Sequence, residues 1–142
     1  MRKLSWILLT LAGALTLLGS LASTHLAYSG DYPIGGVPVA EVAQGREGLE
    51  PALRAMRGTA AAYAGGFAVL YLFVVLGPYR RGERWSWWAV LAALLVLVSI
   101  TVLRVPLLGT QGGVAAALIQ GGVGIVALLL DVRRLSRPAG AV

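Results

Sequence analysis

The stretch GPYRRGERWSWW, Gly77 to Trp88, holds three arginines, one glutamate and three tryptophans in twelve residues. On each side lies a run without a charged residue: 58–76 before it and 85–103 after it. A helix of about 20 apolar residues crosses the hydrocarbon core of a bilayer, so each run has the length of one crossing. Between them, the chain turns at a membrane surface. Indole rings settle at the head-group level, where one edge is wet, and guanidinium groups reach phosphate oxygens. Gly77 suits a left-handed helix end and Pro78 blocks continuation, which places the end of the helix at Gly77. Glu83 suits the positive start of the next helix. Arg80, Arg81, Arg84, Trp85, Trp87 and Trp88 are therefore expected to contact lipid or a partner. Anchoring alone accounts for them. A sharper reading is a defined site, with Arg81 and Arg84 on an acidic group and Trp85 stacked beside it.

Two further apolar runs complete the pattern. The expected spans are about 4–27, 58–77, 85–104 and 112–131, in one integral membrane domain covering 1–142, with an outward loop at 28–57. The expected fold is all-α, a bundle of four transmembrane helices. Of the 142 residues, 58% are apolar and 13% charged, against about 25% charged in soluble domains. A core of this size could not bury four helices that are apolar on every face. The net charge is +6. The cations lie just outside the apolar runs, where anionic lipid rather than nucleic acid is the nearest partner. With no cysteine, disulfides, thiolate catalysis and Cys metal sites are excluded.

Basic residues mark the cytoplasmic side of membrane proteins. Arg2, Lys3, Arg80, Arg81, Arg84, Arg133, Arg134 and Arg137 share one side if all four runs cross. Arg46, Arg54, Arg57 and Arg104 take the other, with Asp31, Glu41, Glu47 and Glu50. Both termini are thus expected to be cytoplasmic. The opening MRKLSWILLTLAGALTLLGSLA also has the layout of a signal peptide. Apolar character continuing to Ala27 favours a retained span. Cleavage would leave three spans without reversing the others.

In the outward loop, PIGGVPVAEV fits a short hairpin turning at Gly35-Gly36. LEPALRAMRG turns helical, with Pro51 near the helix start. It either lies on the outer surface or extends the second span, with Arg54 and Arg57 at outer head groups.

Glycine is about twice as frequent as usual, at 19 residues. Gly58, Ala62 and Gly66 recur at four-residue spacing in the second span, with Ala61 and Gly65 beside them. Gly113, Ala117 and Gly121 do so in the fourth, with Gly124 one turn further. Close backbone approach at small residues drives helix association in lipid, so these residues are expected at helix contacts within the chain or between copies. The spacing also arises by chance in an Ala-rich chain. Gln120 lies well inside its span. With Tyr63 and Tyr71 it could line a cavity, or it could hydrogen-bond as glue between helices.

No span carries an acidic or basic residue at its centre, which argues against pumps and proton relays. The sole histidine, His25, sits near the outer boundary. With Asp31, Glu41 or Glu47 it matches no metal-ligand spacing. No catalytic residue, metal site or cofactor is assigned. The YRRGERWSWW junction and the four-span layout resemble uncharacterised small bacterial membrane proteins, DoxX-like in general arrangement. The resemblance implies a bacterial inner membrane and a four-helix architecture, and carries over no catalytic residue. The leading expectation is a non-enzymatic structural or accessory subunit contacting lipids, another membrane protein or itself. The alternatives are a bundle holding a small apolar or quinone-like ligand for redox or isomerase chemistry, and a small-solute transporter.

Overall fold

The computed structural model describes residues 2–30, 32–109 and 113–134. Within hydrocarbon, every backbone N–H and C=O must be bonded inside its own segment. The apolar runs accordingly form helices: α1, Arg2–Ser29, then α2, the short Val39–Val42, and α3, Leu49–Val74. These are followed by α4, Arg84–Val102, the short α5, Arg104–Leu108, and α6, Val114–Leu130. Among the described residues, three continuous segments are long and apolar enough to cross a membrane: Lys3–Ser29, Leu49–Tyr79 and Arg84–Leu107. α6 is as apolar but has 17 residues, short of the other three. The expected start of the fourth span, at 112, lies outside the described residues. Only 11% of the most apolar window of the α4 segment is buried. Leu95, Val96, Ile100 and Leu103 are all more than half exposed. In water this surface would cost about 25 cal/mol per Å²; in lipid it costs nothing.

The chain divides into two compact units, Met1–Gly13 with Tyr71–Val142, and Ala14–Leu70. In the first, α6 runs antiparallel to α4. Gly121 meets Val98, Gly124 meets Leu94, and the Trp87 indole donates to the Leu128 carbonyl at 3.1 Å. The start of α1, the end of the α3 segment, the start of α4 and the end of α6 therefore gather at one end of this unit.

The α3 segment does not stop at Gly77. It widens into a π-helical turn over Val75–Tyr79 and continues to Arg81. The terminating left-handed glycine is Gly82, with φ of 97°. Proline lacks an N–H and its ring crowds the carbonyl four residues back. The wider turn accommodates that ring, so Pro78 bends the register without ending the helix.

In the second unit the loop expected at 28–57 is shorter, because α3 already begins at Leu49. The helical piece therefore extends the second span. Pro33–Ile34 pairs antiparallel with Val37–Pro38 across Gly35 and Gly36, both at positive φ, as a tight two-residue hairpin requires. Tyr32, Val39 and Ala43 are buried in this region, and the Tyr32 hydroxyl donates to the Leu53 carbonyl at 3.0 Å. α1 and α3 run antiparallel here as well. Ser20 donates to the Ala61 carbonyl at 2.7 Å, and Tyr28 lies over Gly58.

Arg54 and Arg57 are turned to the protein rather than to head groups. Arg54 pairs with Glu50 at 2.9 Å and donates to the carbonyls of Ala27 and Gly30 at the end of α1. Arg57 lies 4.2 Å over the Tyr32 ring and donates to Ser23 at 3.3 Å.

A β-carbon at Gly121 would stand 2.5 Å from Val98 Cγ2, whereas one at Gly66 meets nothing. Gly121→Ile is expected to destabilise by about 1–3 kcal/mol, and Gly66→Ile by less than about 0.5 kcal/mol. Reversible unfolding in mixed micelles, followed by circular dichroism, measures both.

Candidate functional site

The residues of the 77–88 junction are divided between two tasks. Ser5, fully buried, donates to the Ala127 carbonyl at 2.7 Å and lies 2.7 Å from the Tyr79 hydroxyl. Serine has one hydroxyl proton and a carbonyl can only accept, so Tyr79 is the donor to Ser5. Tyr79 is itself fully buried and is delivered there by the π turn. The next residue pair repeats the contact at the surface, with Arg80 lying 5.0 Å from the Trp6 ring centroid. Trp87 is buried and bonded to Leu128. Tyr79, Arg80 and Trp87 thus seat helices on one another.

Glu83 organises the exposed side. Its carboxylate accepts from the Trp85 indole at 2.7 Å and from Arg81 at 2.9 Å. These two bonds favour the ionised form and hold the carboxyl below its ordinary pKa, the Trp85 bond being the larger cause. Its carbonyl accepts from the Ser86 hydroxyl at 2.6 Å. Arg81 and Trp85, two of the three residues expected to grip an external acid, therefore hold an internal one. Arg84 is exposed, and Trp88 is 57% exposed, packed edge-on to Trp87 with centroids 4.9 Å apart.

The small residues also divide. Gly58, Ala117 and Gly121 are buried. Ala62 and Gly66 are exposed, and Gly113 is the left-handed residue preceding α6. The close approaches next to these fall at Gly65, whose β-carbon would stand 2.7 Å from Ser20 Oγ, and at Gly124 against Leu94.

Of the three cavity candidates, Tyr63 is 77% exposed, Tyr71 is buried and Gln120 is half-buried. A cavity of about 250 Å³ lies between α4 and α6. It is lined by Leu91, Leu94, Leu95, Val98, Leu118, Gly121, Gly122 and Ile125, and includes none of the three. His25 is exposed, its ring 2.9 Å from the Ser29 hydroxyl on the same helix. Asp31 lies outside the described residues. Among the described residues, no group of three His, Cys, Asp or Glu is placed to hold a metal ion.

Ser5 and Trp6 are the side chains of this site that sequence reasoning passed over. Ser5 and Trp6 did carry a signal, as a hydroxyl and an indole one turn inside a basic helix start. Arg54, expected at head groups, pairs locally with Glu50, but its carbonyl partners lie 24 and 27 residues away, and no local pattern announces those.

Ser5→Ala or Tyr79→Phe should each destabilise by about 0.6–2 kcal/mol. In a double-mutant cycle the two losses should combine less than additively, because the hydroxyls share one bond. Because the folded-state pKa of Glu83 is depressed, its contribution is present above the unfolded pKa and lost as pH falls through the folded one. The Trp85 indole N–H resonance in micelles should therefore titrate with a midpoint below that of an ordinary glutamate. Glu83→Gln should remove the transition.

No family model, curated protein or solved structure matches the chain.

Proposed function

We propose that this is a non-enzymatic, four-span protein of the bacterial inner membrane with both termini in the cytoplasm. In this reading it serves as an accessory subunit that contacts lipid or another membrane protein. One observation carries it: four buried polar side chains, Ser5, Tyr79, Trp87 and Ser20, fasten one helix to another. The cavity between α4 and α6 is apolar throughout and offers no group to orient a reacting molecule. A quinone-like ligand would need polar groups converging on such a space, and Tyr63 faces away from any enclosure.

The pairing of α6 with α4 supports the fourth crossing. Residues 121, 124 and 128 stand level with 98, 94 and 87. At 1.5 Å per residue, α6 matches the depth of the α4 segment from about 87 to about 105. It also returns Arg133 to the end that holds Lys3, Arg80, Arg81 and Arg84, the arrangement expected of a cytoplasmic face. The general likeness to small DoxX-like proteins motivates the choice of the bacterial inner membrane.

Because the chain has no cysteine, single introduced cysteines report orientation cleanly. An impermeant maleimide added to intact cells should label Glu47→Cys and Gly109→Cys, while Gly82→Cys and Ser136→Cys react only after lysis. Labelling of Ser136→Cys from outside would refute the fourth crossing. Purification in mild detergent should yield lipid or a stoichiometric membrane protein. A redox-active molecule in the organic extract would overturn the accessory reading.

A further inference from the structure

We propose that the groove between α4 and α6 holds an acyl chain of one anionic phospholipid whose phosphate is bound by Arg84 and Arg133. The inference deepens the reading above, since it presumes that these helices lie in a membrane.

Residues 84, 88, 91, 95 and 98 recur at the spacing of one helix face. Their order down that face is arginine, tryptophan, then three apolar residues that line the cavity. On α6, residues 118, 122 and 125 form the facing wall; the helix ends at Leu130, and the 3-10 turn Val132–Arg134 carries Arg133 just beyond that end. The Trp87–Leu128 bond ties the first turn of α4 to the last turn of α6, so Arg84 and Arg133 stand at the same end. Both are exposed, and among the described residues no carboxylate pairs with either, whereas Arg81 is held by Glu83. Two guanidinium groups without acids are suited to a phosphodiester.

Depth fits the same occupant. Leu91 lies about 10 Å and Val98 about 21 Å below Arg84 along the helix. One leaflet of a bilayer with its head groups is about 20–22 Å deep. A lipid with its phosphate at Arg84 places its chain along the whole groove, with Trp88 at the head-group boundary. The volume, about 250 Å³, is below the roughly 300–1,000 Å³ of pockets that enclose a compact ligand. A second helix is a poorer occupant. Helices in lipid approach through small residues one turn apart, and the neighbours of Gly122 at that spacing are Leu118 and Val126. Gly122 itself faces open space.

The test is native mass spectrometry of the full chain. The protein is released from vesicles containing equal amounts of phosphatidylglycerol and phosphatidylcholine with identical acyl chains. The wild type should retain one phosphatidylglycerol at least fivefold over phosphatidylcholine. Arg84→Gln with Arg133→Gln should abolish that preference. Gly122→Phe, which fills the groove, should lower retention of phosphatidylglycerol at least fivefold. Val96→Phe, on an exposed face outside the groove, should leave retention unchanged and controls for added bulk. Circular dichroism confirms that each variant keeps its helices. Equal retention of the two lipids by the wild type, or undiminished phosphatidylglycerol on folded Gly122→Phe, overturns the proposal. So does a dimer of the wild type that Gly122→Phe converts to monomer, because a second copy then fills the groove. The cysteine-labelling pattern is independent of lipid retention, so failure of this site and failure of the membrane topology are read separately.

Discussion

In hydrocarbon there is no water to accept or donate a hydrogen bond, and this one deficit explains where the polar side chains of the protein sit. A helix satisfies its own backbone except at its ends, where the last four carbonyls lack partners. Two C-terminal ends here are closed by side chains from elsewhere. The Ala127 and Leu128 carbonyls, within the last turn of α6, receive Ser5 from α1 and Trp87 from α4. The Ala27 carbonyl in the last turn of α1, with that of Gly30 just beyond, receives Arg54 from α3. The Ser5 and Arg54 bonds each answer a local deficit and join two helices at once, while Trp87 adds a second donor to a carbonyl that also accepts the Asp131 N–H. An apolar contact could not do this, because Leu against Leu gains little over Leu against a lipid tail.

The π turn belongs to the same logic. An ordinary helix through Pro78 would lose one backbone bond and crowd a carbonyl. Widening the turn admits the ring and carries the helix on to Arg81. It also sets Tyr79 and Arg80 against Ser5 and Trp6, two neighbours on one helix meeting two on another. The hydroxyl pair is buried and the cation–ring pair lies above it, so the contact passes from interior to surface within one residue. The bond that Tyr79 makes to Ser5 supports the irregular backbone that brings it there.

Helical segments and the hairpin at Gly35-Gly36 were legible because they rest on composition and local turn chemistry. Runs free of charge, Gly35-Gly36 between short apolar pairs, and Glu83 before a helix each speak for themselves. The end of the second helix was misplaced at Gly77 because glycine before proline is a stop signal on local grounds. What overrides it is a seat for Tyr79, supplied by residues more than 70 positions away. The choice among small residues was equally opaque. Gly65 and Gly66 are adjacent and look alike in sequence, but one faces Ser20 and the other faces open space. Four-residue spacing defines a stripe, and the register between helices decides which residue of the stripe is used. Arg54 and Arg57 were assigned to head groups by position alone, whereas carbonyls at a helix end and the face of Tyr32 compete for the same guanidinium groups.

That competition sets how much charge the junction presents to its surroundings. A guanidinium bonded to a carboxylate contributes little net attraction to a distant phosphate, because the pair is neutral as a whole. Glu83 removes Arg81 from the outward account and fixes Trp85 in the same grip. Arg80 lies over the Trp6 indole face, which orders it. Lys3, Arg84 and Arg133 remain exposed at the end where four helix termini meet. Anionic lipid attracts an exposed cation by about 1 kcal/mol, and Glu83, by holding Arg81, leaves Arg84 exposed beside it.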